Sequence, residues 1–124
     1  PSPGPSVRIE TPRVRPVKSR SETDALVREM FVNDKSRRIK GATRLIIEQK
    51  NNSYAVTQAI NEAMKQLDNK SGVINTLVYL ESVPVETLKS HRAEVDNFLK
   101  AVRKTNPGEQ TARHLKEVEK RLGG

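Results

Sequence analysis

Cysteine and tryptophan are absent from this 124-residue chain, and its aromatics are only Phe31, Tyr54, Tyr79 and Phe98. Without cysteine there are no disulfides, no thiolate metal ligands and no thiol nucleophile. The absence fits a reducing compartment. Four aromatics, of which Phe98 reads as buried, make no platform for stacking bases. No apolar run approaches membrane-spanning length, and no signal-peptide pattern opens the chain. Residue 1 is proline rather than methionine, so the chain reads as a piece excised from a longer protein, with targeting signals outside it.

Catalytic signatures are missing as well. His91 and His114 fall on different expected helices among basic neighbours, and no HExxH, glycine-rich phosphate loop or nucleophile elbow occurs. The carboxylates sit beside cations or amides on polar faces, as Glu62 does with Gln66 and Glu117 with Lys120 and Arg121. A working acid–base pair needs desolvation to drive its pKa values apart. The expectation is no enzyme: no catalytic residue, no metal site and no cofactor. His91 keeps two readings, a pH switch or an exposed or half-buried helix residue.

What is present suits helices. Hydrophobic residues make up 34% and charged residues 31%, the balance of a compact bundle with a solvated surface rather than a large core around a deep pocket. The length allows one domain. The net charge is +8 and unevenly spread. Residues 1–20 hold five basic side chains against one acidic, residues 21–50 seven against five, and residues 51–124 eleven against nine. Such a balance favours acidic partners: nucleic acid, anionic lipid or acidic peptides.

Residues 1–20 contain five of the seven prolines and cannot bury enough apolar surface to offset their ordering entropy. They read as a disordered linker. Ser2-Pro3 and Thr11-Pro12 are either proline-directed phosphorylation sites or accidental dipeptides in that linker. Order is expected from Ser21, a capping serine before Glu22 and Asp24. Leu26, Met30, Ile39, Ala42, Leu45 and Ile46 recur at helical spacing, with a break at Asn33-Asp34 and Gly41 as a weak point. Ser53 can cap the next helix. Ala55, Val56, Ala59, Ile60, Ala63, Met64 and Leu67 then follow the three-and-four spacing of a buried stripe. Asp68 to Gly72 is turn chemistry. Val73, Ile74, Leu77, Val78 and Leu80 make a strongly apolar helix that ends near Pro84. Leu88, Val95, Phe98, Leu99 and Val102 form another stripe. After Thr105-Asn106-Pro107-Gly108, with Pro107 able to open a helix, the last face is Ala112, Leu115, Val118 and Leu122.

The run Lys35-Ser36-Arg37-Arg38-Ile39-Lys40 is a basic cluster. Lys35, Arg37, Arg38 and Lys40 could touch nucleic-acid phosphates or serve nuclear import; the alternative is a solvated helix face. Any nucleic-acid binding would be electrostatic, salt-sensitive and sequence-blind.

Between Ser53 and Leu122 four segments occur in an order that narrows the reading. They are Ile60 to Asn69, a helix running into Leu-Asp-Asn; Leu77 to Val85, an apolar helix and a Val-Pro-Val corner; Leu99 to Lys104, of the Leu-Lys-x-aliphatic-basic-basic kind; and a last helix after a short polar turn. Together they resemble the integrase-binding domain of lens-epithelium-derived growth factor and hepatoma-derived growth-factor-related proteins. More loosely they resemble the N-terminal domains of transcription elongation factors of the S-II type. The resemblance implies a nuclear docking module in chromatin and transcription proteins, one that captures short acidic-hydrophobic segments at two inter-helix loops. By position, Leu67 offers an apolar contact and Asp68 accepts hydrogen bonds from ligand amides, beside Asn69; Lys104, Thr105 and Pro107 carry the second loop. Thr105 and Pro107 depart from the family, which has an aromatic and an aliphatic there, and that removes apolar shelf worth about 1.5–3 kcal/mol per buried side chain. Leu67 as a last core residue and Asp68 as a helix cap remain the structural alternative. Lys100, Arg103 and Lys104 suit the end of a helix dipole and would also steer an acidic peptide.

The expected fold is therefore all-α: a compact right-handed bundle of about five helices with a disordered basic N-terminal tail. Residues 1–20 are the tail, 21–52 an accessory helical region and 53–122 the interaction domain. The expected partners are linear motifs of nuclear or chromatin proteins, a chromatin enzyme among them, with nonspecific DNA contact through the tail, a homodimer through residues 21–52, and no membrane. A basic nucleic-acid-binding accessory domain and a helical self-association module are the rival functions.

Overall fold

A computed structural model describes residues 19–123. The tail assigned to residues 1–20, with its two proline-directed sites, lies outside the described residues except for Ser19 and Arg20. Within them the chain is all-α, with seven helices: α1 (Arg20–Glu29), α2 (Lys35–Gln49), α3 (Ser53–Lys65), α4 (Lys70–Ser82), α5 (Val85–Ser90), α6 (Arg92–Lys104) and α7 (Glu109–Arg121).

Short polar side chains start the first four helices by accepting bonds from orphan N–H groups. Ser19, not Ser21, caps α1: its Oγ accepts from Glu22 N at 3.3 Å while Glu22 Oε1 accepts from Ser19 N at 3.3 Å, a reciprocal capping box. The correction moves the cap two residues because Glu22 then falls three positions after it. Asp34 caps α2, and Asn52 rather than Ser53 caps α3, accepting from Tyr54 N at 3.1 Å. Pro84 both follows α4 and precedes α5. Pro107 does not open α7; the helix starts two residues later, after Gly108.

One hydrophobic core joins all of this. Leu26, Val27, Met30 and Phe31 from the α1 region and Ala42 and Leu45 from α2 belong to the same buried cluster as Val56, Leu77, Leu80, Val95, Phe98 and Val118. Residues 21–52 thus bury their apolar face on the bundle itself. Two glycines let this happen. A Cβ on Gly41 would come within 2.5 Å of Glu29 Cβ, so α2 passes close under α1; a Cβ on Gly72 would meet the Phe31 ring at 2.0 Å. Ile39 and Met64, expected in buried stripes, are exposed. Ile39 lies off the Ala42–Leu45–Gln49 line of α2, and Met64 sits in the last turn of α3.

The stripe from Leu88 to Val102 reads as continuous in sequence but is split at His91, between α5 and α6. His91 is buried. Its Nε2 lies 2.6 Å from Ser53 Oγ and its Nδ1 3.0 Å from Glu94 Oε2, while Glu94 Oε1 accepts from Thr57 Oγ1 at 2.9 Å. The row of hydroxyl, imidazole and carboxylate stitches the start of α3 to the start of α6. Beside it, Tyr79 is wholly buried and donates to Gln49 O at 2.8 Å. Burial pushes its hydroxyl pKa well above the ordinary tyrosine value. No described helix is long and apolar enough to cross a membrane.

Candidate functional site

The opposite end of the bundle is where α3 stops and α6 stops. After Lys65 the chain turns through Gln66, Leu67 and Asp68 to Asn69, which caps α4 by accepting from Gly72 N at 3.0 Å. Asn69 also donates through Nδ2 to Phe31 O at 2.9 Å and to Gln66 Oε1 at 3.3 Å. Its amide is therefore spent on holding this loop to the end of α1. Leu67 is half-buried against the core edge. Asp68 is exposed, does not cap the helix, and makes no hydrogen bond or ion pair among the described residues. The cap alternative read from sequence thus falls to Asn69 one residue later, leaving the Asp68 carboxylate unengaged.

The second loop is set by a helix C-terminus. Thr105 closes α6, its Oγ1 donating to Val102 O at 2.6 Å. Asn106 adopts φ 62, the left-handed conformation that asparagine tolerates after a helix end, and its N–H reaches Arg103 O at 3.2 Å. Pro107 and Gly108 follow.

These two loops, nearly forty residues apart in sequence, line one cavity of about 480 Å³. Leu67, Asp68 and Lys70 come from one loop and the start of α4; Thr105, Asn106, Pro107 and Gly108 from the other; Val73, Val102 and Thr111 from the helices behind them. Apolar surface from Leu67 and Pro107, over the buried edges of Val73 and Val102, therefore stands beside a carboxylate with no partner among the described residues and a lysine. Such a groove can hold one apolar side chain while Asp68 accepts from a ligand N–H.

The remaining residues named from sequence lie elsewhere or beside it. Lys104 is exposed at the end of α6, next to the groove. Lys100 and Arg103 line a different cleft of about 690 Å³ between α6 and α7, with Arg92, Lys116 and Lys120, and Arg103 pairs with Glu119 across it. In the α2 cluster two of four cations are already engaged. Arg37 donates to Glu29 through Nε at 3.2 Å and Nη2 at 2.5 Å, and Arg38 donates to Val32 O and Asn33 O, both at 3.0 Å. The Arg37 guanidinium holds the Glu29 carboxyl below its ordinary pKa. Lys35 and Lys40 are exposed.

Lys70, Val73, Val102 and Thr111 are not site residues in the sequence reading, and Asn106 and Gly108 enter it only as part of the second loop. Val73 and Val102 read as core in any helical stripe, and only the meeting of two loops turns their edges into a groove floor. Family models, curated proteins and solved structures return no match to the chain.

Proposed function

We propose that this chain is a non-catalytic adaptor domain of a nuclear chromatin or transcription protein, docking short acidic-hydrophobic linear motifs in the groove between its α3–α4 and α6–α7 loops. The supporting observation is that single cavity: loops singled out by motif resemblance line it together, and it presents Asp68 without a partner among the described residues. An apolar ligand side chain lies over Leu67, Val102 and Pro107, and a ligand backbone N–H donates to Asp68. A charge-assisted bond of that kind contributes about 1.5–3 kcal/mol. Lys70 in the groove and Lys104 beside it raise the encounter rate of an acidic segment.

The test is binding of a phenylalanine-containing acidic peptide to the wild-type chain and to Asp68→Asn, which keeps shape and removes charge. The reading requires at least about tenfold weaker binding by the variant; full affinity in Asp68→Asn would remove the site. Self-association through residues 21–52 has one observation in its favour, the exposed Ile39 and Ile47 on the outer face of α2. Light scattering that finds dimers in the wild type and monomers in Ile47→Lys would establish it.

A further inference from the structure

The cleft of about 690 Å³ between α6 and α7 has no part in the loop groove. It opens because α7 packs mainly against α4 and α6 mainly against α3, so the two helices meet each other at few points. Helical spacing then decides what lines it. Arg92, Asp96, Lys100 and Arg103 recur every three or four residues on α6, beside its buried stripe; Lys116 and Lys120 do the same on α7. Two bonds tie the walls together: Arg92 Nη2 donates to Leu122 O at 2.5 Å, and Arg103 pairs with Glu119.

Its charge is unbalanced. Five cations line the cleft, Arg92, Lys100, Arg103, Lys116 and Lys120, against the carboxylates of Asp96 and Glu119. Glu119 is matched by Arg103. Lys100 and Lys116 are exposed and make no hydrogen bond or ion pair among the described residues. Lys120 reaches Glu117 on its own helix at 3.5 Å, an exposed pair that contributes little. Cations gathered in a concave surface reinforce one another's field. The lining also says what the cleft cannot hold. Its two leucines, Leu99 and Leu122, are buried, so no apolar shelf faces a peptide side chain. None of the four aromatics lines it, so no base can stack there. A flat layer of lipid headgroups does not enter a cleft between helices. What remains is attraction for a linear polyanion. A DNA duplex carries one charge per about 1.7 Å of axis, denser than an acidic peptide with at most one per residue at about 3.3 Å. Arg92 to Arg103 spans about 16 Å of helix, long enough to meet several consecutive phosphates of one strand.

We infer that the α6–α7 cleft is a DNA-backbone site, holding phosphates of one duplex strand between Lys100 and Arg103 on one wall and Lys116 and Lys120 on the other. It reads charge and not bases. The site is separate from the loop groove and does not rest on the docking function. It also moves nucleic-acid contact away from Lys35–Lys40, where Arg37 and Arg38 are spent on bonds within the fold. Asp96, half-buried in the lining without a partner among the described residues, is the group that opposes binding.

The experiment measures binding of a short mixed-sequence DNA duplex to the whole 124-residue chain over a range of salt concentrations. Three chains are compared: the wild type, a cleft variant with Lys100→Gln, Lys116→Gln and Lys120→Gln, and a control with Lys35→Gln, Lys40→Gln and Lys50→Gln. Both variants lose equal charge from exposed positions, so melting temperatures should match the wild type. The cleft variant is expected to bind at least about tenfold more weakly at low salt, with the slope of log affinity on log salt smaller by about 2–3, close to 0.9 per lysine. The control should stay within about twofold of the wild type, and Asp96→Asn should bind severalfold more tightly. In the labelled wild type the duplex should move the amides of Arg92–Lys104 and Lys116–Gly123. No binding at low salt, equal losses in the two triple variants, or shifts confined to Lys35–Lys40 and the N-terminal residues would overturn the site. Unchanged or weaker binding by Asp96→Asn would put the phosphates elsewhere. A polyglutamate peptide, or phosphatidylserine vesicles, displacing the duplex at equal charge concentration would overturn DNA as the occupant.

Discussion

Where α2 stops and α3 begins, polar side chains are matched in pairs. Thr23 donates to Gln49 at 2.5 Å, Asn52 to Gln49 at 2.9 Å, Tyr54 to Asp24 at 2.9 Å, Tyr79 to the Gln49 carbonyl, and His91 sits between Ser53 and Glu94. Gln49 Nε2 is the exception, buried without a partner. At the other end of α3, Asp68 and the Thr111 hydroxyl make no hydrogen bond among the described residues, and both residues line one groove. The same bundle thus has a closed end whose polar groups hold the fold and an open end whose polar groups remain for something else. Polar groups bonded within the fold rigidify the end they occupy, while an exposed carboxylate such as Asp68 can exchange water for a ligand donor.

The contrast can be broken by mutation. Leu80→Ala, in the last turns of α4 and wholly buried, should cost about 2–5 kcal/mol by urea unfolding. Leu67→Ala, half-buried at the open end, should cost about 1 kcal/mol or less. Equal costs would erase the distinction. Next in size is Tyr79→Phe, which leaves the Gln49 carbonyl without its donor and should cost about 1–3 kcal/mol. The folded-state pKa of Tyr79 is raised above its unfolded value near 10, so its contribution is complete below pH 10 and is lost as pH rises through the folded value. Denaturation midpoints measured from pH 8 to 11 should fall more steeply for the wild type than for the Phe variant. At the open end, Asp68→Asn should move stability by no more than about 0.5 kcal/mol while weakening peptide binding. Smallest is Gly108→Asp, expected to add a few tenths of a kcal/mol in thermal unfolding.

Much of the fold was legible in the amino-acid pattern because helical faces are a local property. Most of the stripe residues on α3, α4, α6 and α7 are buried, with Met64 exposed and Ile74, Val78 and Ala112 half-buried, and the turns at Asn33, Asp68 and Thr105 separate helices. Cap positions slipped by one or two residues because Ser19, Ser21, Asn52 and Ser53 are all good acceptors, and only backbone geometry chooses among them. The break at His91 was hidden because Leu88 and Val95 are seven residues apart, the spacing of one uninterrupted face. Leu67, Asp68, Thr105 and Pro107 were named from motif resemblance, and their gathering into one groove is a tertiary fact that periodicity cannot encode. Lys100 and Arg103, named with them, line another cleft because they point along the α7 side of α6.

The most direct test of the open-end account is an NMR titration of the labelled chain with an acidic peptide carrying spaced phenylalanines. The account predicts shifts concentrated in the amides of Leu67 to Lys70 and Lys104 to Thr111, with the His91 end unmoved. Shifts confined to Lys35–Lys40 and the N-terminal residues would contradict it and leave simple charge attraction in its place.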